Sequence, residues 1–206
     1  MNRKGTRNAL PNKYVMARVV RKIRKQEKNM CVANAITMMN EFSCGHELYV
    51  EDCYTKKMSR NGERLFVVAD KINNYGQQIV SSNPKKRSRR LQFNIVGLKK
   101  PYVENIKKAI SSNKSVVVTI TSYNHNNVLQ SYRDINGTKN KLKLRPHAIC
   151  IYGYHDGIGD KEIHPLEKGY FNFINSHGQW IDGSNGVGIL TYEYAEKYIE
   201  EGVVTV

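Results

Sequence analysis

Residues 26–40 read QEKNMCVANAITMMN, and this segment decides the fold that the sequence predicts. The residues before Cys31 are mostly polar. After it, apolar residues recur at helical spacing, at Val32, Ala35, Ile36, Met39 and Phe42. Cys31 therefore lies at the start of a buried helix. There the free N–H groups and the positive end of the helix dipole favour a thiolate, the nucleophilic form of cysteine. The alternative is a buried cysteine that serves only as a small apolar side chain.

The composition is that of a folded globular chain. Its 206 residues are 40% hydrophobic and 25% charged, which suits one domain or two lobes that share an interface. No run of apolar residues is long enough to span a membrane. The N-terminal segment is basic and lacks the apolar stretch of a signal peptide. We therefore expect a cytoplasmic protein, or one secreted by a route without a visible signal.

Positive charge dominates the chain, with 33 Lys and Arg against 18 Asp and Glu and a net charge of +15. It is concentrated in residues 18–28, 85–90 and 139–145. Such clusters either hold an acidic partner or keep exposed loops solvated. The sequence shows no zinc-finger spacing, no helix-turn-helix pattern and no aromatic-rich motif for single strands. Nucleic acid is therefore not expected as a partner, whereas an acidic protein or peptide is compatible with the charge. The oligomeric state is left open.

Four cysteines are present, at positions 31, 44, 53 and 150, without a CxxC pair or a Cys/His cluster at zinc spacing. No metal site is therefore predicted. A chain of this size does not need a disulfide scaffold. Cys44 and Cys53 are near enough in sequence for a bridge, but without a secretion signal the sequence favours reduced thiols.

The apolar patterns place helices first and strands later, which is typical of an α+β protein with two lobes. A cleft between two lobes is a common place for a site. The predicted helices run from Cys31 to about Phe42, from Leu48 to Met58, from about Glu63 to Asn74 and from about Tyr102 to Ser111. The predicted strands are Val116–Ile120, His147–Tyr154, Tyr170–Ile174, Val187–Thr191 and Val203–Val206, and an extended segment begins at Leu10.

Three further residues supply what a reactive Cys31 needs. His147 begins a predicted strand, Asn175 ends the next one, and Gln26 lies five residues before the cysteine. A thiol that attacks a carbonyl needs a base to take its proton and a third group to orient that base. It also needs hydrogen-bond donors at the developing oxyanion. Cys31, His147, Asn175 and Gln26 can fill these four roles.

At these residues the chain resembles the papain/cathepsin family of cysteine peptidases, and specifically its divergent bacterial-type members. The order Cys, His, Asn is the family's order, although His147 follows the cysteine somewhat early. The resemblance covers about residues 10–194. The segments that carry it are Gln26 with Cys31-Val32-Ala33, His147-Ala148-Ile149-Cys150-Ile151-Tyr152-Gly153-Tyr154, and Gly169-Tyr170-Phe171 through Asn175-Ser176, Gly178, Trp180 and Gly186.

The resemblance implies a papain-like fold with a helical first lobe, an antiparallel β-barrel-like second lobe and the active-site cleft between them. Residues 1–9 would be a basic tail, and 10–206 the peptidase domain. Its helical lobe would span about 21–100, and its β lobe about 101–206 together with 10–20. The implied activity is hydrolysis of peptide bonds in a protein or peptide substrate through a Cys-His-Asn triad and a thioester acyl-enzyme, without a cofactor.

Several residues depart from the family's pattern. Val32 and His177 stand where the family usually has Trp, although Trp180 is near enough to shield the Asn–His pair, and His177 is either a core substitute or a substrate contact. Lys28 removes one cysteine of a family disulfide. Two alternatives therefore remain open. One is a papain-fold protein with a degenerate triad that binds an acidic protein or nucleic acid, and the other is a related thiol acyltransferase or deamidase.

Overall fold

The structure is a computed structural model, and it describes residues 10–16, 29–56, 63–81, 89–122, 145–156, 169–175 and 186–206. Four α-helices and nine β-strands lie in these ranges. The helices are α1 (Cys31–Cys44), α2 (Leu65–Tyr75), α3 (Tyr102–Ser111) and α4 (Tyr192–Tyr198). The strands are β1 (Lys13–Val15), β2 (Gln77–Gln78), β3 (Arg90–Leu91), β4 (Ile95–Gly97), β5 (Val116–Ser122), β6 (Arg145–His155), β7 (Tyr170–Ile174), β8 (Val187–Thr191) and β9 (Ile199–Thr205).

Helix α1 is the central helix, as its sequence predicts. Every residue from Val32 to Phe42 is buried, so the helix is enclosed on more sides than one apolar stripe would require. It ends at Gly45, whose left-handed backbone (φ 72°) lets its N–H bond the carbonyl of Glu41 at 2.8 Å. Cys31 is the first residue of this buried helix, so its thiol lies at the N-terminal end of α1.

The main sheet contains seven strands in the order β4-β9-β5-β6-β7-β8, with β1 added along β6, and every pairing is antiparallel. Helix α1 crosses one face of this sheet. Ser115, just before β5, bonds the carbonyl of Met39 at 3.4 Å, and Thr205 of β9 bonds the side chain of Asn40 at 3.0 Å. The C-terminal half of α1 is therefore attached to the middle of the sheet.

Polar side chains between α1 and its neighbours form a closed network in the core. Gln77 is fully buried, and its Nε2 donates to Thr37 Oγ1 at 2.9 Å, to the Tyr49 carbonyl at 3.2 Å and to Cys53 Sγ at 3.3 Å. Its Oε1 accepts a hydrogen bond from Asn40 Nδ2 at 2.7 Å. Because these groups satisfy one another, the network is compatible with complete burial.

The helix predicted over Leu48–Met58 is wrong. The described part of that range contains only a short 3-10 turn, Val50–Cys53, and Leu48 instead forms a bridge with Ile79. The reason is tertiary: Asp52 accepts hydrogen bonds from the backbone N–H of Gln78 at 2.7 Å and from the Arg90 guanidinium at 2.9 Å. These distant partners fix a conformation that local apolar spacing does not reveal.

Three further elements were not predicted, namely the β2–β3 hairpin, strand β4 and helix α4. Helix α4 follows β8 without a connecting loop, and Thr191 caps it by accepting a hydrogen bond from the Tyr194 N–H at 3.2 Å. The other predicted helices and strands are confirmed to within a few residues at their ends.

Strand β4 is an edge strand of the main sheet, and the side chain of Asn73 is hydrogen-bonded to it. Asn73 Nδ2 donates to the carbonyl of Ile95 at 2.8 Å, and the Ile95 N–H donates to Asn73 Oδ1 at 2.6 Å. The side-chain amide thus makes the pair of bonds that a neighbouring strand would make. On its other side β4 pairs with β9, so the main sheet includes residues that precede α3.

Candidate active site

Cys31 is the first residue of α1, and its side chain is only partly exposed. Met30 precedes it and provides no side-chain cap, and the first turn contains no acidic residue. The amide of Asn34 bonds back to the carbonyl of Met30 at 2.9 Å and holds the start of the helix in place. Among the described residues, the charge at this helix end therefore comes from backbone N–H groups, which favour an anion.

Burial acts against that preference. Desolvation raises the pKa of the Cys31 thiol above its ordinary value, while the backbone N–H groups of Ala148, Val32 and Cys31 lower it by a smaller amount. The helix start therefore does not by itself offset the desolvation of the Cys31 thiol. A thiolate here needs a positive charge in addition.

His147 and Asn175 are brought together by two neighbouring strands. His147 lies near the start of β6, and Asn175 follows the end of β7, which pairs with β6. His147 Nε2 is 2.8 Å from Asn175 Oδ1, and the two residues are only 2% and 0% exposed. An amide oxygen is an acceptor, so this bond requires the ring proton to be on Nε2. Nδ1 is then the ring nitrogen that would exchange a proton with a thiol.

A backbone contact links this pair to the cysteine. Ala148 directly follows His147 in β6, and its backbone N–H is near enough to the Cys31 sulfur to lower the pKa of that thiol. The start of α1 and the start of β6 therefore meet at one point, and Cys31 lies beside the residue that follows His147. Gln26, His177 and Trp180 lie outside the described residues.

A glycine supports the position of Asn175. The N–H of Asn175 donates to the carbonyl of Gly186 at 2.7 Å, and Gly186 adopts a left-handed backbone (φ 75°) that disfavours residues with a side chain. Sequence reasoning missed the roles of Ala148 and Gly186, although both stand in the segments that carry the family resemblance. Their contribution is made by backbone groups, which leave little trace in residue type.

The described residues contain no group of three or more His, Cys, Asp or Glu side chains that could hold a metal ion. Cys31, Cys44, Cys53 and Cys150 are all free thiols, so Cys44 and Cys53 are not bridged. Complete burial raises the pKa of Cys150 to about 12, which makes it an inert core residue. Among the four cysteines, Cys31 is the one that lies beside the His147–Asn175 pair.

No family model matches the sequence, and no curated protein matches it. Solved structures do match the fold. Xylellain, a cysteine protease from Xylella fastidiosa, has a TM-score of 0.69 at 14% identity over 96% of this chain and 86% of that chain. ProCathepsin B S9 from Trypanosoma congolense has a TM-score of 0.68 at 13% identity over 97% and 78%. Digestive procathepsin L 3 from the larval midgut of Tenebrio molitor has a TM-score of 0.65 at 15% identity over 98% and 71%.

These similarities show that the chain has the papain-like fold, so the predicted α+β class and the predicted two-lobed architecture are confirmed. At identities of 13–16% they show the fold alone. The chemistry of this chain has to be argued from its own residues.

Proposed function

We propose that this protein is a papain-like cysteine protease that hydrolyses peptide bonds through Cys31, His147 and Asn175. The observation that carries the proposal is the buried 2.8 Å bond between His147 and Asn175, next to Ala148, whose N–H lowers the pKa of the Cys31 thiol. Such a base and its orienting group, next to a cysteine at a helix start, are the components of thiol acyl transfer. The structural neighbours are cysteine proteases, which supports the proposal at the level of the fold.

Each residue has one role in the proposed reaction. His147 Nδ1 takes the Cys31 proton, and the thiolate sulfur attacks the peptide carbonyl carbon to form a tetrahedral intermediate. The Cys31 N–H and the Gln26 side chain hold the oxyanion. His147 then protonates the leaving amine, the C–N bond breaks and a thioester forms. Water attacks the thioester, His147 takes its proton, and the carboxylic acid and the thiol are released. Asn175 keeps the ring aligned throughout.

In this proposal the site lies in a cleft between the two lobes, which divide near residue 100. The helical lobe is about 21–100, and the β lobe is about 101–206 together with the 10–20 segment. Strand β4 joins the main sheet from before that division. Among the described helices none is long and apolar enough to cross a membrane.

The test is covalent labelling together with peptide cleavage. An epoxide probe for thiol proteases is expected to label the wild-type protein and to leave Cys31→Ala unlabelled. Cys44→Ala is the matched control, because Cys44 is a second partly exposed thiol, at the other end of α1. Equal labelling of Cys31→Ala and wild type, or a folded wild type that resists the probe and cleaves no peptide, would refute the protease.

The net charge of +15 favours a second candidate, a papain-fold protein with a degenerate triad that binds an acidic protein or nucleic acid. Salt-sensitive binding of such a partner that persists in Cys31→Ala, without any peptide cleavage, would support it. Within the enzyme class, identification of the products separates the protease from a deamidase or an acyltransferase. Hydrolysis yields two peptides, deamidation releases ammonia from a side-chain amide, and acyl transfer joins the acyl group to an amine.

A further inference from the structure

The peptide group between Met30 and Cys31 receives two hydrogen bonds from one residue, Asn34. The Met30 carbonyl accepts the backbone N–H of Asn34 at 3.0 Å and the side-chain Nδ2 of the same residue at 2.9 Å. A carbonyl oxygen has two lone pairs, so these two bonds use both. Because the acceptor is a carbonyl, the side-chain amide must present its NH2 group to it, and this fixes which way the amide faces. Asn34 therefore restrains a single oxygen atom from two directions.

The bond from the Asn34 side chain is not needed to complete the helix. At the start of a helix it is the N–H groups that lack partners, and a capping side chain accepts from them. Asn34 instead donates, to a carbonyl that the helix already satisfies through the backbone bond. Asn is also a weaker helix former than Ala or Leu, and at 3% exposure its amide is removed from water. The presence of this amide therefore has an explanation other than helix stability.

The backbone just before Cys31 has a conformation that needs restraint. Asn29 is left-handed (φ 66°), a conformation that residues other than glycine seldom adopt. Met30 (φ −100°, ψ 14°) then departs from the extended conformation that an N-cap residue usually takes. A rare backbone conformation persists only where its surroundings determine it. The two bonds from Asn34 supply such a restraint, at the residue next to the thiol.

The restrained carbonyl and the Cys31 N–H belong to the same peptide group. A trans peptide is planar, with its C=O and N–H groups pointing in opposite directions. Fixing the Met30 oxygen therefore also fixes the direction of the Cys31 N–H, which points out of the N-terminal end of α1. Hydrogen bonds to the carbonyl also polarise the peptide and strengthen its N–H as a donor. In the proposed reaction this N–H is one of the two donors to the oxyanion.

We propose that Asn34 is a positioning residue that orients the Cys31 N–H toward the tetrahedral oxyanion. This inference rests on the proposed protease function and adds to it a residue that acts through the Met30–Cys31 peptide. A donor stabilises the oxyanion only when it is aimed at the position that the oxygen takes in the transition state, so a small rotation of the peptide weakens catalysis. Since removing one such donor lowers kcat by about 100-fold or more, losing only its restraint should lower kcat by roughly tenfold.

Asn34→Ala and Asn34→Ser are the pair of variants that tests the hydrogen bond. Alanine removes the donor and is the better helix former, so the variant is expected to fold. Serine keeps a donor, because its hydroxyl can bond the carbonyl four residues back in a helix. Ser111 makes this bond in α3, to the Lys107 carbonyl at 2.8 Å. Asn34→Ser should therefore retain most of the activity that Asn34→Ala loses. Thr37→Ala, which removes a buried bond to Gln77 about one turn further along α1, is the control for a purely structural loss.

Three measurements separate the orientation of the N–H from the reactivity of the thiol. On a fluorogenic peptide, Asn34→Ala should lower kcat roughly tenfold and change KM by less than about threefold. Affinity for a tripeptide aldehyde should fall by a similar factor. The Cys31 thiol adds across the aldehyde C=O bond, sulfur bonds to carbon, the proton reaches oxygen by way of His147, and this oxygen occupies the oxyanion position. Alkylation by iodoacetamide releases iodide and forms no oxyanion, so its rate should stay within about twofold. Thr37→Ala should leave all three measurements nearly unchanged.

The outcomes distinguish this inference from the protease itself. Folded Asn34→Ala protein that keeps the kcat and the aldehyde affinity of wild type would overturn the inference, as would an equal loss in Asn34→Ser or a parallel loss of alkylation. If the wild type cleaves peptides, these results leave the protease standing. Wild-type protein that binds the aldehyde with a dependence on Asn34, but hydrolyses no peptide, would refute the protease and leave the role of Asn34. A wild type that neither cleaves peptides nor binds the aldehyde would refute both.

Discussion

Truncating Asn175 to alanine should separate the orienting role of this residue from its structural role. The bond that it makes to His147 is 2.8 Å long and joins two residues that are 0% and 2% exposed. Removing the amide leaves a buried ring N–H without this acceptor, which costs ~1–3 kcal/mol of unfolding free energy. The imidazole also loses the group that fixes its tautomer and its angle. Since a misplacement of ~1 Å at a reacting group costs about 100-fold in rate, kcat/KM should fall by roughly that factor.

The assay is hydrolysis of a fluorogenic peptide, followed by urea denaturation of the same samples. The loss should appear in kcat, with KM changed by less than about threefold, because orientation of the base acts on the transition state. Asn172→Ala is the matched control, since Asn172 lies on β7, the strand that Asn175 follows, and is not the partner of His147. A folded Asn175→Ala protein that keeps kcat/KM within about twofold of wild type would refute the orienting role.

Three further predictions concern the thiols and the buried network. Because burial raises the pKa of Cys31, replacing His147 by Ala should move the pH midpoint of Cys31 alkylation by iodoacetamide upward, and an unchanged midpoint would show that His147 does not ionise the thiol. Burial raises the pKa of Cys150 to about 12, so above pH 9 the unfolded chain releases a proton that the folded chain keeps. The free energy of unfolding should therefore fall by up to about 1.4 kcal/mol per pH unit, and urea titrations of Cys150→Ala should lack this component. Gln77→Ala leaves several buried polar groups unsatisfied and should cost ~2–4 kcal/mol in thermal denaturation, whereas Gln78→Ala, on the same short strand, should cost much less.

The sequence predicted those elements that local pattern determines. The apolar spacing after Cys31 gave α1 its start, and Tyr102–Ser111 and Tyr170–Ile174 appear with the predicted bounds. The failures have a common cause, because they depend on distant residues. The segment after Leu48 has an apolar pattern that a helix could use, but its backbone and Asp52 bond residues near position 78 instead.

For the candidate site, the order of Cys31, His147 and Asn175 along the chain was a better guide than the local sequence around Cys31. The order of Cys31, His147 and Asn175 was enough to propose a triad, and the structure places His147 against Asn175. The balance between helix charge and burial at Cys31 could not be predicted, because burial depends on how the sheet covers the start of α1. The hydroxyl of Thr119 in β5, which is buried without a hydrogen-bond partner among the described residues, could not be predicted either, since a buried Thr usually finds a partner.

The amide of Asn73 also has a consequence for how copies of this protein behave toward one another. An exposed sheet edge offers its N–H and C=O groups to any extended chain, and proteins that leave such an edge open tend to associate strand to strand. By occupying the N–H and the carbonyl of Ile95, Asn73 removes from β4 the first two bonds that an incoming strand would form. A single side chain on α2 thus blocks strand addition at Ile95 through geometry, and unlike the repulsion between basic chains this block does not weaken as salt is added.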